Sequence, residues 1–367
     1  MAQGIPKQTR RLFFYTLFLV FILIAPILIA MSYGYRLDFG TGVVEKRGGI
    51  FVKSKTPRLS IFLNGNFVKE TSFFSGGALL PEVPPGTYLL RIEKQGFHTW
   101  SKTVEVEPAL VTELRQILLT PRPLARATTT DTDLALVENP NHPEENFTID
   151  KKNNLVQKTA TSTNLLATNV YSFGIIENTI FFIDKNGFLA RLVLPDGTVE
   201  TIARPGFFLK EDANVKFSRS PLGDLAILDE SGGFFLLDPS GAVIHLGGGV
   251  RKANFDERGE KILLAKEFKI EAVWLRPNPY QPFQSSGTKE KVLELGSQII
   301  DARWFYGNNS HIVIQTKAGV FFTELDGRGG RNTTELVSEK VDQIATVPEL
   351  PNKIFYKRGK NWYTLGL

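Results

Sequence analysis

Through its second half this chain repeats one apolar strand at near-regular intervals. Ile180, Leu225, Ile262, Ile312 and Ile354 occupy matching points of five runs, spaced 45, 37, 50 and 42 residues apart. The runs are Thr179-Ile180-Phe181-Phe182-Ile183-Asp184, Asp224-Leu225-Ala226-Ile227-Leu228-Asp229, Lys261-Ile262-Leu263-Leu264-Ala265, His311-Ile312-Val313-Ile314-Gln315 and Lys353-Ile354-Phe355-Tyr356. A following strand echoes in Gly187-Phe188-Leu189, Gly233-Phe234-Phe235, Gly319-Val320-Phe321-Phe322 and Asn361-Trp362-Tyr363. A period near forty residues with about four strands per unit is the signature of a β-propeller. One four-stranded blade cannot bury both of its faces, and stacking blades into a ring does so. Five units are recognisable from Val170 onward, and the last has three strands. A strand from residues 144–169 is therefore expected to supply the missing edge, or to make a sixth blade if that stretch folds as a whole unit.

The N-terminus obeys a different rule. Lys7, Arg10 and Arg11 precede residues 12–31, which carry no charge. A helix of about twenty residues at 1.5 Å each crosses a hydrocarbon core of about 30 Å. Pro26 is tolerated in such a helix, and Tyr33 and Tyr35 fit an interfacial aromatic belt. A cleaved signal peptide is the alternative, but its apolar region spans about 7–15 residues and ends on a small-residue site; Ala30-Met31-Ser32 matches that poorly. The run has no polar stripe, as a buried core helix would. Positive residues cluster before the helix, while Arg36, Lys46 and Arg47 beyond it are more dispersed. The bias predicts a cytoplasmic N-terminus and an extracytoplasmic body.

Between the helix and the repeats lies a stretch of short alternating segments. Arg58-Leu59-Ser60-Ile61-Phe62-Leu63 reads as a strand, Asn64-Gly65 as a type I′ turn, and Phe67-Val68-Lys69 as the return. Leu79-Leu80-Pro81 and Pro84-Pro85-Gly86 read as a turn region. Tyr88 to Glu93, Thr99 to Val106 and Thr112 to Leu119 supply further strands, with a turn at Gln95-Gly96-Phe97. Six or seven short strands in this space predict a small sandwich. The order Asn64-Gly65, then Pro84-Pro85-Gly86-Thr87-Tyr88-Leu89-Leu90-Arg91-Ile92, then Lys94-Gln95-Gly96-Phe97-His98-Thr99-Trp100, closing on Leu118-Leu119-Thr120-Pro121, resembles a PEGA domain. Asn64 stands where Asp is common, and Phe97 where Tyr is. The resemblance implies an extracytoplasmic β-sandwich beside a membrane anchor, and no catalytic residue. The whole arrangement resembles helix–PEGA–propeller membrane proteins of small-genome candidate-phyla bacteria, with a propeller of the irregular TolB- or quinoprotein-like sort, since no Trp-Asp blade signature occurs.

Candidate chemistry is sparse. The chain has no cysteine, so a disulfide framework, a thiolate zinc site and a Cys nucleophile are excluded together. His98, His142, His245 and His311 are nowhere paired at metal spacing. There is no G-x-S-x-G elbow and no P-loop. Five acidic turns begin at Asp184, Asp229, Asp238, Asp256 and Asp326; each offers one or two oxygen ligands where calcium needs a longer alternating set, and hairpin turns account for Asp and Gly there. Sequons at Asn146, Asn308 and Asn332 read as turns, and Trp100 as core. Net charge is +5, part of it in the first eleven residues, so no single basic face suggests nucleic acid.

The expected fold is all-β with one N-terminal transmembrane helix: a small PEGA-type β-sandwich followed by an irregular five- or six-bladed β-propeller. The segments are a cytoplasmic basic tail (1–11), a transmembrane helix (12–33), the sandwich (49–121), a linker (122–143) and the propeller (144–367). The expected function is a membrane-anchored cell-surface scaffold or binding module with a protein or glycan partner at the propeller face. No catalytic, cofactor-binding or metal residue is expected. The competing expectation is an enzyme acting on envelope polymers, with Arg251, Arg303 and Asp301 facing the propeller channel.

Overall fold

The computed structural model describes residues 7–37, 42, 44–138, 146–195, 197–203 and 214–367. The chain divides into two compact units, one of residues 1–119 with 328–330, the other of residues 120–327 with 331–367.

The first unit opens on the helix Lys7–Ser32, which contains Pro26 and buries none of its residues. It is long and apolar enough to cross a membrane. Its end is set by Gly34, whose positive φ of 85° lets its N–H turn back to Met31 O at 3.1 Å while Tyr33 N reaches Ile29 O. A two-stranded hairpin, Tyr35–Leu37 with Val44–Lys46, follows. Arg36 clasps this exit to the sandwich, with Nη1 donating to Met31 O at 2.8 Å and Nη2 lying 2.6 Å from Glu82 Oε1. Glu82 itself sits at φ +58°.

The sandwich packs a four-stranded sheet against a three-stranded one. The first pairs Asn66–Glu70, Ser60–Leu63, Gly86–Glu93 and Trp100–Val106, in that spatial order. The second pairs Gly77–Val83, Gly48–Ser54 and Val111–Ile117, the last two in parallel. The stretch around Leu79-Leu80-Pro81 is thus a strand and not the expected turn. Ala78, Leu80 and Val83 face the core on it, and Pro81 is tolerated because the strand is at an edge. Strand Trp100–Val106 alternates strictly, burying Trp100, Val104 and Val106. Each fully buried Leu or Ile in this core, such as Ile61, Leu90 or Ile92, contributes about 1.5–3 kcal/mol.

The second unit is propeller-like. Its described residues form six successive antiparallel sheets, five of four strands and one of three. Four sheets follow chain order strand by strand, within 170–203, 215–247, 252–294 and 299–337. Neighbouring sheets share apolar layers. Leu155 and Ala167 pack with Ile180 and Phe182, Phe181 with Leu225 and Ile227, Phe234 with Ile262 and Leu264, and Leu263 with Ala302 and Ile312. These are the alternate residues of the repeated strand, one set facing each neighbour.

The last sheet is completed differently from expectation. Gln343–Ala345, Lys353–Arg358 and Asn361–Gly366 take their fourth strand from Arg126–Thr128, with Arg126 opposite Leu365. Residues 144–169 do not supply it; Phe147–Ile149, Leu155–Lys158 and Thr163–Ala167 form the three-stranded sheet. An outermost strand needs hydrogen bonds but little apolar burial, and Arg126–Thr128, exposed at all three residues, meets that requirement. The stretch expected as a linker also carries the helix Asp131–Glu138, which Thr130 caps by accepting from Asp133 N at 3.2 Å and which is tied to the last sheet by Lys353 Nζ, 2.7 Å from Asp133 Oδ2.

Candidate functional site

A concavity of the second unit opens where two adjacent sheets meet. Strands Leu225–Asp229 and Phe234–Leu237 turn through residues 230–233 on one side, and Lys261–Ala265 and Lys269–Trp274 through 266–268 on the other. Between the turns lies a cleft of about 680 Å³, lined among others by Lys216, Glu230, Arg251, Lys266, Phe268 and Lys269. Its floor is backbone brought unusually close. Val250 N donates to Gly232 O at 3.0 Å, and a Cβ on Gly232 would lie 2.9 Å from Gly249 Cα. Gly232 also has φ +87°, so a side chain there would meet both strain and collision. Asp229 shapes the same turn, its Oδ1 accepting from Gly233 N at 2.9 Å and from Ser231 Oγ at 2.6 Å.

Two lysines of the lining, Lys266 and Lys269, are held on a single carboxylate behind the wall. Glu271 lies two residues after Lys269 on the same strand, so both side chains leave one face of the sheet. Its side chain is 6% exposed, with Lys269 Nζ 2.6 Å from Oε1 and Lys266 Nζ 3.0 Å and Lys289 Nζ 3.9 Å from Oε2. Burial pushes the Glu271 carboxyl up, and hydrogen bonds from Lys269 and Lys266 outweigh it, holding it below its ordinary value. The hydrogen bond to Glu271 raises Lys269 in turn. Opposite, Arg251 Nη2 stands 3.9 Å from Glu267 Oε1, which also accepts from Gln298 Nε2 at 3.1 Å. The cleft therefore offers ammonium donors, carboxylate acceptors and one half-exposed ring, Phe268. Such a surface suits a polar, extended ligand. The lysine signal was present in the sequence as Lys266-Glu267-Phe268-Lys269-Ile270-Glu271, but the gathering of Lys289 onto Glu271 depends on strand pairing.

The three residues expected to face a channel divide. Asp301 and Arg303 do meet, on the first strand of their sheet. Lys252 Nζ lies 2.7 Å and Arg303 Nη2 3.1 Å from Asp301 Oδ2, and Oδ1 accepts from Ala302 N at 2.8 Å. Arg251 is apart from them, in the cleft with Glu267. The acidic turns behave as turns. Asp184 Oδ1 accepts from Asn186 N and Phe188 N at 2.8 Å, Asp238 Oδ1 from Ser240 N and Ala242 N, and Asp256 Oδ1 from Lys261 N. His245 lies tilted against Phe235, and His311 stacks on Phe322 with its Nδ1 against Asn308. His142 lies outside the described residues. Of the sequons, Asn332 donates to Glu324 Oε1, Asn308 serves His311, and Asn146 is exposed.

In the first unit the turns are fixed by backbone conformation and side-chain hydrogen bonds. Asn64 and Gly65 have φ of 49° and 86°, the two left-handed positions of a type I′ turn. Asn64 Oδ1 accepts from Leu89 N at 2.9 Å, tying this turn to the neighbouring strand, and Tyr88 Oη donates back to Pro84 O at 2.9 Å. Residues 47–120 match the PEGA domain. The PEGA domain's one wholly exposed strand is Asn66–Glu70, at the edge of its larger sheet. Among solved structures, YCF48 from Cyanidioschyzon merolae is 11% identical, covers 76% of this chain and 91% of its own, and superposes with a TM-score of 0.38. YCF48 bound to D1 peptide is 12% identical, with 87% and 97% covered and a TM-score of 0.38. The extracellular domain of BT4673 from B. thetaiotaomicron is 9% identical, with 77% and 50% covered and a TM-score of 0.38. The propeller-like architecture rests on the six sheets themselves. No curated protein matches the sequence.

Proposed function

We propose that this chain is a single-pass membrane protein whose PEGA domain and propeller-like unit stand on the extracytoplasmic side and act as a binding module, taking a protein or glycan segment in the cleft between the sheets of residues 215–247 and 252–294. The observation that carries this is the cleft itself, where Lys266 and Lys269, held on Glu271, and the Arg251–Glu267 pair offer donors and acceptors on long side chains around a half-exposed ring. Lys7, Arg10 and Arg11 before the apolar helix support a cytoplasmic N-terminus. The module is non-catalytic in this reading. Asp301 supports it, because its two oxygens are taken by Lys252, Arg303 and the Ala302 N–H, which brace the first strands.

Protease accessibility in intact cells tests the placement, using a C-terminal tag and an intracellular control. Digestion of the body without lysis is expected. Protection of the body, combined with cleavage in inside-out vesicles, would overturn it. For the cleft, the charge reversal Lys266→Glu is expected to abolish retention of envelope components that the wild-type chain retains, and unchanged retention would remove the cleft from the function.

A further inference from the structure

One connection in the propeller-like unit is out of proportion to its counterparts. Residues 275–288, between strands Lys269–Trp274 and Lys289–Glu294, number fourteen. The equivalent connections in the neighbouring sheets are residues 238–242 and 325–332. Connections beyond about 12 residues with no secondary structure of their own are uncommon and are usually either functional or disordered linkers. The sequence Pro277-Asn278-Pro279-Tyr280-Gln281-Pro282-Phe283-Gln284-Ser285-Ser286-Gly287-Thr288 also carries no charged residue, in a chain that is 22% charged.

The loop is braced at its base and across its waist. Arg276 Nη2 lies 3.1 and 3.0 Å from the two oxygens of Asp224, which is fully buried and also accepts from Ser220 Oγ at 2.7 Å. Asn278 N donates to Gln284 O at 2.8 Å, and Asn278 Nδ2 to Pro282 O at 2.9 Å. Ser286 Oγ donates to Leu275 O, and Gly287 N to Trp274 O at 2.7 Å. Three prolines fix φ along it. This braced frame leaves Tyr280 57% and Phe283 69% exposed, the most exposed aromatic rings among the described residues of the unit.

Apolar rings on a pre-ordered loop, with amide and hydroxyl groups between them, form the composition of a protein-recognition surface: large anchors that lose little conformational freedom on binding. The neutral loop has no attraction for a phosphate-rich or acidic partner. A membrane surface would call for cations beside the rings, and Arg276 is engaged by Asp224. We propose that residues 275–288 form a docking loop for a protein partner, with Tyr280 and Phe283 entering an uncharged, apolar-lined pocket on that partner. The loop and the cleft lie at opposite ends of strand Lys269–Trp274, about 17 Å apart at 3.4 Å per residue. The loop is thus a second surface, and its proposal stands or falls apart from the cleft.

The test is site-specific photo-crosslinking in cells carrying the full chain, with a benzophenone amino acid at position 283, at 268 in the cleft, or at the exposed control position 165. Position 283 is expected to yield one discrete protein adduct that position 165 does not. Tyr280→Ser in the same chain is expected to lower that yield about tenfold or more, as for loss of a central anchor. Ser285→Asp is expected to lower it similarly and Ser285→Asn to leave it, with melting temperature unchanged in all three. A yield at 283 no greater than at 165, a yield insensitive to Tyr280→Ser, or an adduct with lipid would overturn the proposal. A protein adduct at 268 alone would leave the cleft reading standing and remove the loop.

Discussion

Replacing Arg276 with methionine keeps most of the aliphatic stem and takes the guanidinium away from Asp224. The carboxylate is fully buried and would retain the Ser220 hydroxyl and lose both guanidinium contacts. Breaking a buried ion pair from one side costs about 3–5 kcal/mol. The Arg276 side chain is one-third exposed, so water reaches the vacated position and the expected cost falls to about 2–3 kcal/mol. For a unit of this size that is a drop in Tm of roughly 5–10 °C. Calorimetry of the full chain in micelles reads it directly. The transition of the propeller-like unit should move and that of the PEGA-containing unit should not. Adding Asp224→Asn to Arg276→Met should cost much less than the sum of the single changes, since the second change removes the stranded charge. A shift below about 2 °C, or additive costs in the double variant, would show that Asp224 is not held as a buried ion and would refute the reasoning.

Lys261 is buried, lying 2.8 Å from the buried Asp256 and over the rings of Trp274 and Trp304; Lys261→Met should cost about 3–5 kcal/mol in urea unfolding, and a loss under about 1 kcal/mol would contradict the pairing. In the sandwich core, Ile61→Ala should cost about 2–5 kcal/mol in the first unit's transition alone. Gly232→Ala forces a Cβ against Gly249 at positive φ, and should both destabilise the second unit and distort the cleft, seen as altered lysine reactivity at Lys266 and Lys269. Glu271 has its carboxyl held below the ordinary value of 4.5 when folded. Its contribution is therefore in full above about pH 4.5 and fades as pH falls through the lower folded value. Denaturant titrations should show wild type and Glu271→Gln converging in stability with acidification through that window; a constant gap would place the pairing energy elsewhere.

The recurring strand was legible because blade interiors bury alternate residues on both faces, which demands long apolar runs at a fixed spacing. Ile180, Leu225, Ile262, Ile312 and Ile354 all lie in the cores where neighbouring sheets meet or within the last sheet. The sandwich was legible through turn chemistry at Asn64-Gly65 and through strict alternation in Trp100–Val106. Gly77–Val83 was misleading because Pro81 signals a turn unless the strand is known to be an edge. Arg126–Thr128 left no trace in the pattern, because a three-residue outer strand with every residue exposed has no apolar face to display.

By itself the sequence determined what local chemistry dictates: a helix whose uncharged run is able to span a membrane, turns that need positive φ, and apolar spacing that only stacked sheets satisfy. Tertiary structure decided which strand completes the last sheet, that Arg303 joins Asp301 while Arg251 does not, and that Lys266, Lys269 and Lys289 share Glu271. It also decided that Arg276, at the base of residues 275–288, is held by Asp224, more than fifty positions earlier in the chain. The division has one physical cause. Burial and backbone conformation act on residues near in sequence and leave a periodic record there, whereas strand pairing and charge pairing join residues whose separation along the chain carries no such record.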